Sequence, residues 1–236
     1  MKTGKYMKKK PVKGVALILV LTLLLGCGIG GTLAWLMDST STVTNTFTVG
    51  NIDITLDEAR VDQDGNFLDK DKNVVDTLAE AERVTNNQYQ AIPGKTYSKD
   101  PTLTVTKGNE KCYLFVKFVQ SGNPSTYYEF DFALDNTNSG WTQGTADVEG
   151  GDGVPTDVWY IIVNETSADA ANDTVYHLLV GDTIQVKDSV TAANMTAAAA
   201  AKLEWTAYAV QFMNDKINFT PAQAWDIAQD GTLNAN

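Results

Sequence analysis

Short segments in which apolar and polar residues alternate fill most of the chain after residue 42, and clusters of Asn, Asp, Gly and Pro separate them. Alternation with a period of two residues is typical of β-strands that bury one face, and such clusters are typical of turns. We predict eight strands, over residues 43–56, 102–106, 113–120, 127–134, 158–163, 175–180, 183–186 and 205–213. Eight short strands of this kind predict an all-β fold, an antiparallel sandwich of two sheets.

One of these segments, 113–120, is largely apolar on both faces, with Lys117 as its single charge. A strand without a polar face is typical of the centre of a sheet that is covered on both sides. We therefore expect this segment to be the central strand of the sandwich.

Helix signals are few. The alanine-rich segment 197–202 predicts one or two helical turns. A second helix is better specified, because Thr220 is a good N-cap, Pro221 suits the first helical position and Gln223 completes a capping box. We expect it to carry Trp225 and Ile227 toward the sheets and to cover a sheet end.

The first 34 residues have the order of a secretory signal peptide, with a basic start, an apolar run of about a dozen residues and then small residues. We predict cleavage between Ala34 and Trp35. The chain then divides into a signal peptide over 1–34, an N-terminal strand segment over 35–50 and a β-sandwich domain over 51–236. Two alternatives are lipidation at Cys27, which follows a lipobox-like Leu-Leu-Gly, and retention of 15–37 as a membrane anchor.

Removal of this segment makes the chain strongly acidic. It contains six lysines and no Asp or Glu, so its loss changes the formal net charge from −11 to −17. Such a charge repels the phosphates of nucleic acids and anionic lipids, which excludes a nucleic-acid partner. It leaves contact with the membrane only through the signal segment before cleavage. The charge favours neutral or cationic surfaces, divalent cations, or copies of the same chain with the charge screened.

Cysteine and histidine are too scarce for disulfides or for common catalytic sites. Without Cys27, the chain retains Cys112 alone, which excludes an intramolecular disulfide, and the apolar neighbours of Cys112 predict a buried core position. The chain has no HExxH, GxSxG, CxxC or P-loop motif, and His177 is its one histidine. We therefore predict that the protein is not an enzyme.

Alternating aspartates suggest one weak metal site. Oxygen ligands at alternate positions with a nearby glycine are how calcium loops are built. The EF-hand spacing fails, because Phe67 stands where that loop requires glycine. Asp-Gly and Gly-Asn pairs are also typical of hairpin turns, so we favour a turn and keep calcium as the alternative cofactor. The candidate ligands are Asp62, Asp64, Asp69 and Asp71.

The junction after the apolar run reads GGTLAWLMDSTSTVTNTFTVGNIDITL over residues 30–56. It resembles the junction of the TasA and camelysin family of secreted surface proteins of Gram-positive bacteria. The segments 92–105 and 208–212, with Ala224 and Trp225 downstream, are similar to parts of related surface proteins. The resemblance implies cleavage by a dedicated signal peptidase, a jelly-roll sandwich and a structural role. It also implies that the segment 35–56 can act as an exchanged strand.

Within that segment the side-chain alternation reverses at Gly50. The apolar residues Val43, Phe47 and Val49 occupy odd positions, whereas the next apolar residues occupy even ones. A reversal requires a bulge or a bend, which Gly50 tolerates. We predict a fixed second strand and a first strand free to pair with a neighbouring subunit through Val43, Phe47 and Val49. The alternative is one bulged strand within its own domain.

These observations predict a secreted structural protein of the extracellular matrix or cell surface. We expect it to self-associate into extracellular or biofilm-matrix fibres by strand donation, with other matrix or cell-surface proteins as further partners. The alternative is a monomeric, lipid- or membrane-anchored surface module that binds its target as an adhesin does.

Overall fold

A computed structural model of the chain describes residues 36–40, 52–136, 139–146, 148–214 and 217–230, all within the compact unit Ala34–Asn236. The described strands, numbered in chain order, are β1 Leu36–Thr40, β2 Ile54–Ala59, β3 Phe67–Leu68, β4 Val74–Val75, β5 Arg83–Val84, β6 Asn86–Gln90, β7 Thr96–Ser98, β8 Thr102–Val105, β9 Cys112–Ser121, β10 Tyr128–Glu129, β11 Thr142–Gln143, β12 Val158–Val163, β13 Thr174–His177, β14 Thr183–Val186, β15 Lys202–Gln211, β16 Met213–Asn214 and β17 Ile217–Asn218.

The described helices are short. They are α1 Pro124–Tyr127, α2 Met195–Ala200 and α3 Pro221–Asp230, and single 3₁₀ turns occur at Leu78–Glu80, Ala133–Asp135 and Val180–Asp182. Within the described ranges, no helix is long and apolar enough to cross a membrane.

The larger sheets are antiparallel. Their strand orders are β11-β12-β9-β15, β13-β8-β2-β5 and β10-β14-β7, and three further strand pairs are β1-β6, β3-β4 and β16-β17. A core cluster joins side chains of β2, β8 and β14 to side chains of β9 and β15, so the first sheet faces the other two across it. This arrangement confirms the predicted all-β sandwich with few short helices.

Strand β9 lies at the centre of the sandwich, as its sequence predicts. It is hydrogen-bonded to β12 on one side and to β15 on the other. Leu114 and Val116 belong to the core between the sheets, whereas Tyr113 and Phe115 belong to a second cluster on the outer face. Apolar residues on both faces therefore correspond to a strand that is covered on both sides.

Helix α3 covers that outer face. The capping box is formed as predicted, because the Gln223 amide N–H donates to Thr220 Oγ1 (3.3 Å) and the Thr220 amide N–H donates to Gln223 Oε1 (3.0 Å). Trp225 and Ile227 are buried in the outer cluster, and the ring of Trp225 lies 5.3 Å from that of Phe115. The helix covers a face of the sheet rather than the expected sheet end.

One predicted strand is wrong over most of its length, and another is wrong over half of it. In the segment 127–134 only Tyr128 and Glu129 are in a strand, because α1 precedes them and a 3₁₀ turn begins at Ala133. The segment 175–180 leaves its strand after His177, and a second 3₁₀ turn begins at Val180. The predicted strand 43–56 is described only from residue 52 onward, where Ile52, Ile54 and Leu56 are buried.

Cys112 is fully buried at the start of β9, in the same core cluster as Leu114, Val116 and Phe118. Burial raises the pKa of its thiol to about 12. The predicted core position is confirmed, and the thiol is free.

Candidate assembly site

The first described strand, β1, follows directly after the predicted cleavage site. It pairs antiparallel with β6, so that Leu36 lies opposite Gln90 and Thr40 lies opposite Asn86. In the part of the chain that the structure describes, neither strand has another ladder partner. The N-terminal strand is therefore attached to the domain through a single neighbouring strand.

Two further elements form the seat of β1. It contacts the long strand β15 and the short helix α2. The buried residues of α2 are Met195 and Ala198, and β15 buries alternate side chains, with Trp205 fully buried. We call the surface formed by β6, β15 and α2 the β1 seat.

Beyond its ladder with β1, strand β6 is attached to the domain through the side chain of Asn87. The Asn87 side-chain Nδ2 donates to the Ala59 carbonyl (2.7 Å), and its Oδ1 accepts from the Val61 amide N–H (3.0 Å). Asn87 is buried, so these bonds satisfy two main-chain groups that water does not reach. One amide side chain thus performs the pairing that a neighbouring strand would otherwise provide.

A buried ion pair lies among residues of the β1 seat and the strands beside it. Lys99 Nζ lies 3.0 Å from Glu58 Oε2, and both side chains are 1% exposed. The ammonium group also lies 5.2 Å from the ring centre of Tyr89 on β6 and 5.1 Å from that of Trp205 on β15. Burial, together with the charge of Glu58, raises the pKa of the Tyr89 hydroxyl well above its usual value.

A second ionic group fixes the neighbouring strands. The Asp100 carboxylate accepts from the Ala59 amide N–H (2.6 Å) and pairs with Arg83, which also pairs with Asp57 (2.8 Å). Burial alone would lower the pKa of Arg83, but the two carboxylates raise it. These contacts hold β2 and β5 together immediately beside Asn87 and its partners.

The other predicted site residues are placed as follows. The cleavage residues Ala34 and Trp35 lie outside the described residues, as do the predicted assembly residues Val43, Phe47, Val49 and Gly50. Their assigned roles remain predictions.

The aspartate-rich segment forms two successive turns. Asp62 accepts from the amide N–H groups of Asp64 and Asn66 (2.8 Å each), and Asp69 accepts from those of Asp71 (2.9 Å) and Asn73 (2.8 Å). Within the described ranges, no group of three His, Cys, Asp or Glu side chains is arranged to hold a metal ion. The turns are the favoured interpretation, and calcium stays an untested alternative.

The carboxylates in these turns are stabilised in their charged form. Burial is the largest single influence on Asp62 and would raise its pKa, but the hydrogen bonds from Asn66, Asp64 and Gly65 together lower it. The pKa of Asp69 is lowered by its hydrogen bonds with Asn73.

The alternation of apolar and polar residues does not indicate β1 or β6, although β1 lies within the predicted N-terminal strand segment 35–50. Strand β1 reads LMDST and β6 reads NNQYQ, so neither shows the alternation of apolar and polar residues that predicts a strand. The available signal was Tyr89, a single aromatic residue between two glutamines. It is 1% exposed and forms an edge contact with Tyr97 at 5.5 Å.

No protein-family model, curated protein or solved structure matches this chain.

Proposed function

We propose that this chain is a secreted structural subunit that assembles into extracellular fibres by donating its N-terminal strand to a neighbouring subunit. The observation that carries the proposal is the attachment of β1, which is the first described strand and is paired with β6 alone within the described ranges. A strand from another copy of the chain can make the same main-chain hydrogen bonds with β6.

Exchange requires that the strand reach a neighbour. Residues 41–53 connect β1 to β2, and a segment of this length spans roughly 40 Å when extended. Because the donated strand and the acceptor seat are different surfaces, the contact runs head to tail and repeats along an open filament. The predicted strand with Val43, Phe47 and Val49 belongs to this connecting segment and would extend the donated surface.

Exchange changes the identity of the partner and not the chemistry of the contact. The hydrogen bonds of β1 with β6 and its packing on β15 and α2 are the same whether the strand comes from the same chain or from another. The free energy of the contact is then nearly unchanged, and protein concentration decides between closed monomers and chains of subunits.

Two cysteine variants of the mature chain test the exchange. Thr40 and Asn86 lie directly opposite each other, and opposite residues of antiparallel strands are close enough for a disulfide. We expect Thr40→Cys and Asn86→Cys chains, mixed and then oxidised, to form a cross-linked heterodimer. Fibres that form from the mixture without this cross-link would refute donation of β1.

The double variant with both cysteines in one chain provides the matched control. An internal disulfide should hold β1 in its own seat, so the oxidised protein should stay monomeric, whereas the reduced protein should form fibres visible by electron microscopy. Cys112 does not compete, because it is fully buried. If the oxidised and reduced proteins polymerise equally, the proposed exchange is wrong.

The mass of the mature N-terminus distinguishes this proposal from an anchored surface module. A chain beginning near Trp35 supports secretion of the free subunit, whereas a lipid-modified Cys27 supports an anchored protein. The measurement is intact mass spectrometry of the protein from its natural host.

A further inference from the structure

A cleft of about 840 Å³ lies between the β10-β14-β7 sheet and one end of the strands β9 and β12. This volume is in the range of sites that bind small ligands. Among the described residues, its lining includes none from β6, β15 or α2, so it is separate from the β1 seat. The fibre proposal gives this cleft no role.

One wall of the cleft is aromatic and closely packed. The ring of Phe132 stacks on that of Phe118 at 4.6 Å and meets the ring of Trp159 edge-on at 4.8 Å. Asp135 accepts a hydrogen bond from the Trp159 indole N–H (2.9 Å), which fixes the indole ring. Phe130 and Phe132 are only partly buried, so parts of both rings are exposed at the cleft.

Another part of the lining is polar. Thr183, Gln185 and Lys187 alternate along and just beyond β14 with the buried residues Ile184 and Val186, so they project away from the core and into the cleft. On the neighbouring strand β10, Glu129 lies opposite Gln185 and also lines the cleft. This part offers amide, hydroxyl and carboxylate groups.

The charged and polar side chains that line the cleft limit the chemical class of ligand that it can bind. Three carboxylates and one lysine line the cleft, and this balance opposes a phosphate or another anion. A purely apolar ligand would leave the carboxylates and amides without water or partners, which is costly. Amides and hydroxyls both donate and accept hydrogen bonds, so they suit a ligand that carries many hydroxyl groups.

We propose that the cleft binds a neutral oligosaccharide. A sugar ring presents an apolar C–H face, which fits against Phe130 and Phe132, and a rim of hydroxyl groups, which pairs with Gln185, Glu129 and Gln120. Aromatic rings and amide groups in one cleft match the two chemically different parts of one sugar. The protein would then be a subunit with a glycan-binding cleft that is independent of strand exchange.

The test uses the mature chain and the oligosaccharides cellohexaose, maltohexaose and chitohexaose. Binding is measured by isothermal titration calorimetry and by tryptophan fluorescence, because Trp159 lies in the cleft. We expect at least one oligosaccharide to bind with an affinity that changes little between low and physiological salt. A lysine hexapeptide serves as the cationic comparison.

Three variants locate the binding. Phe130→Ala and Gln185→Ala should each weaken binding about tenfold, a change typical of one lost stacking or hydrogen-bond contact. Val175→Ala is the matched control, because Val175 is 49% exposed on β13 and does not line the cleft. Thermal unfolding by circular dichroism checks that each variant is folded.

Several results would overturn the proposal. The first is that none of the three oligosaccharides binds at about 10 mM, which corresponds to less than roughly 3 kcal/mol of binding free energy. The second is that only the lysine peptide binds and that its binding is sensitive to salt. The third is sugar binding that Phe130→Ala and Gln185→Ala leave unchanged. The oxidised double-cysteine variant, which cannot exchange β1, should bind the sugar normally. The outcome for this cleft is therefore independent of the outcome for fibre assembly.

Discussion

Replacing one member of the buried Glu58–Lys99 pair should destabilise the protein far more than replacing both. Lys99→Met leaves the Glu58 carboxylate buried without its cation, and Glu58→Leu removes the carboxylate that lies 3.0 Å from the buried ammonium group of Lys99. Breaking a buried pair in this way costs about 3 to 5 kcal/mol of the free energy of unfolding. That is a large share of the roughly 5 to 15 kcal/mol of a typical domain.

The double variant Glu58→Leu with Lys99→Met removes both charges and keeps similar side-chain volume. Its free energy of unfolding should lie within about 1 kcal/mol of that of the natural protein, because the cost of burying two charges disappears with their attraction. Urea unfolding at pH 7, followed by tryptophan fluorescence, measures all four proteins. The three differences form a double-mutant cycle that isolates the interaction.

The chain provides a matched exposed pair. Lys70 Nζ also lies 3.0 Å from a carboxylate oxygen, that of Asp71, but these side chains are 79% and 64% exposed. Lys70→Met should change the free energy of unfolding by less than about 1 kcal/mol, since exposed pairs contribute little. The reasoning is refuted if Lys99→Met costs no more than Lys70→Met, or if the double variant loses the sum of both single losses.

Four further results are expected. In urea unfolding, Asn87→Ala should lower the free energy of unfolding by about 2 to 5 kcal/mol, because it leaves a buried carbonyl and a buried amide unpaired. The control Asn86→Ala, at an exposed position, should lower it by less than about 0.5 kcal/mol. Cys112 should resist thiol reagents at pH 8 in the native state, because the folded thiol has a pKa of about 12 and is almost fully protonated at that pH, and it should react in urea. Cys112→Ser should lower the free energy of unfolding by about 1 to 3 kcal/mol. Thr220→Ala should cost about 1 kcal/mol and Thr220→Ser much less, as measured by thermal unfolding. Fibre assembly of the mature chain, followed by light scattering, should be faster at pH 5 than at pH 8, because carboxylates titrate near about pH 4 and their partial protonation reduces repulsion between chains. Equal rates in calcium and in sodium at matched ionic strength would eliminate a calcium bridge through the aspartate turns.

The sequence predicts those elements in which the local pattern of apolar and polar residues matches the burial of each side chain. Both faces of β9 are apolar and both are covered, and the capping box at Thr220 begins a helix that buries Trp225. In these places the local pattern and the tertiary environment agree. The sandwich and its central strand were therefore predictable.

The segment 127–134 shows why other elements were not. Tyr128, Phe130 and Phe132 alternate as in a strand, but only Tyr128 and Glu129 pair with β14, and the aromatic rings beyond them line the cleft. Alternation of apolar and polar residues shows which side chains face apolar surroundings, but it does not show that the segment pairs with a neighbouring strand. The cleft was missed because its walls come from segments far apart in the sequence.

The sequence does not predict β6, and it predicts β1 only as part of the longer segment 35–50, because neither strand has an alternating apolar pattern. Both are mostly polar, and their pairing depends on Asn87, whose buried amide binds main-chain groups 26 and 28 residues away. No local pattern encodes such a contact. The predicted assembly residues Val43, Phe47 and Val49 lie outside the described residues, so their role remains a prediction beside that of the described strand over 36–40.

The β1 seat includes segments that lie far from β1 in the sequence, which limits the order in which the domain can fold. Strand β1 is among the first residues of the mature chain to be made, whereas β15 and α2 lie roughly 160 residues later, a separation that slows closure of the contact. The seat is complete only when nearly the whole domain has emerged. If the chain is exported from its N-terminus, as proposed, β1 can therefore pair with β6 early but cannot pack on β15 and α2 until the end of export. A version truncated before residue 195 should lack this packing permanently.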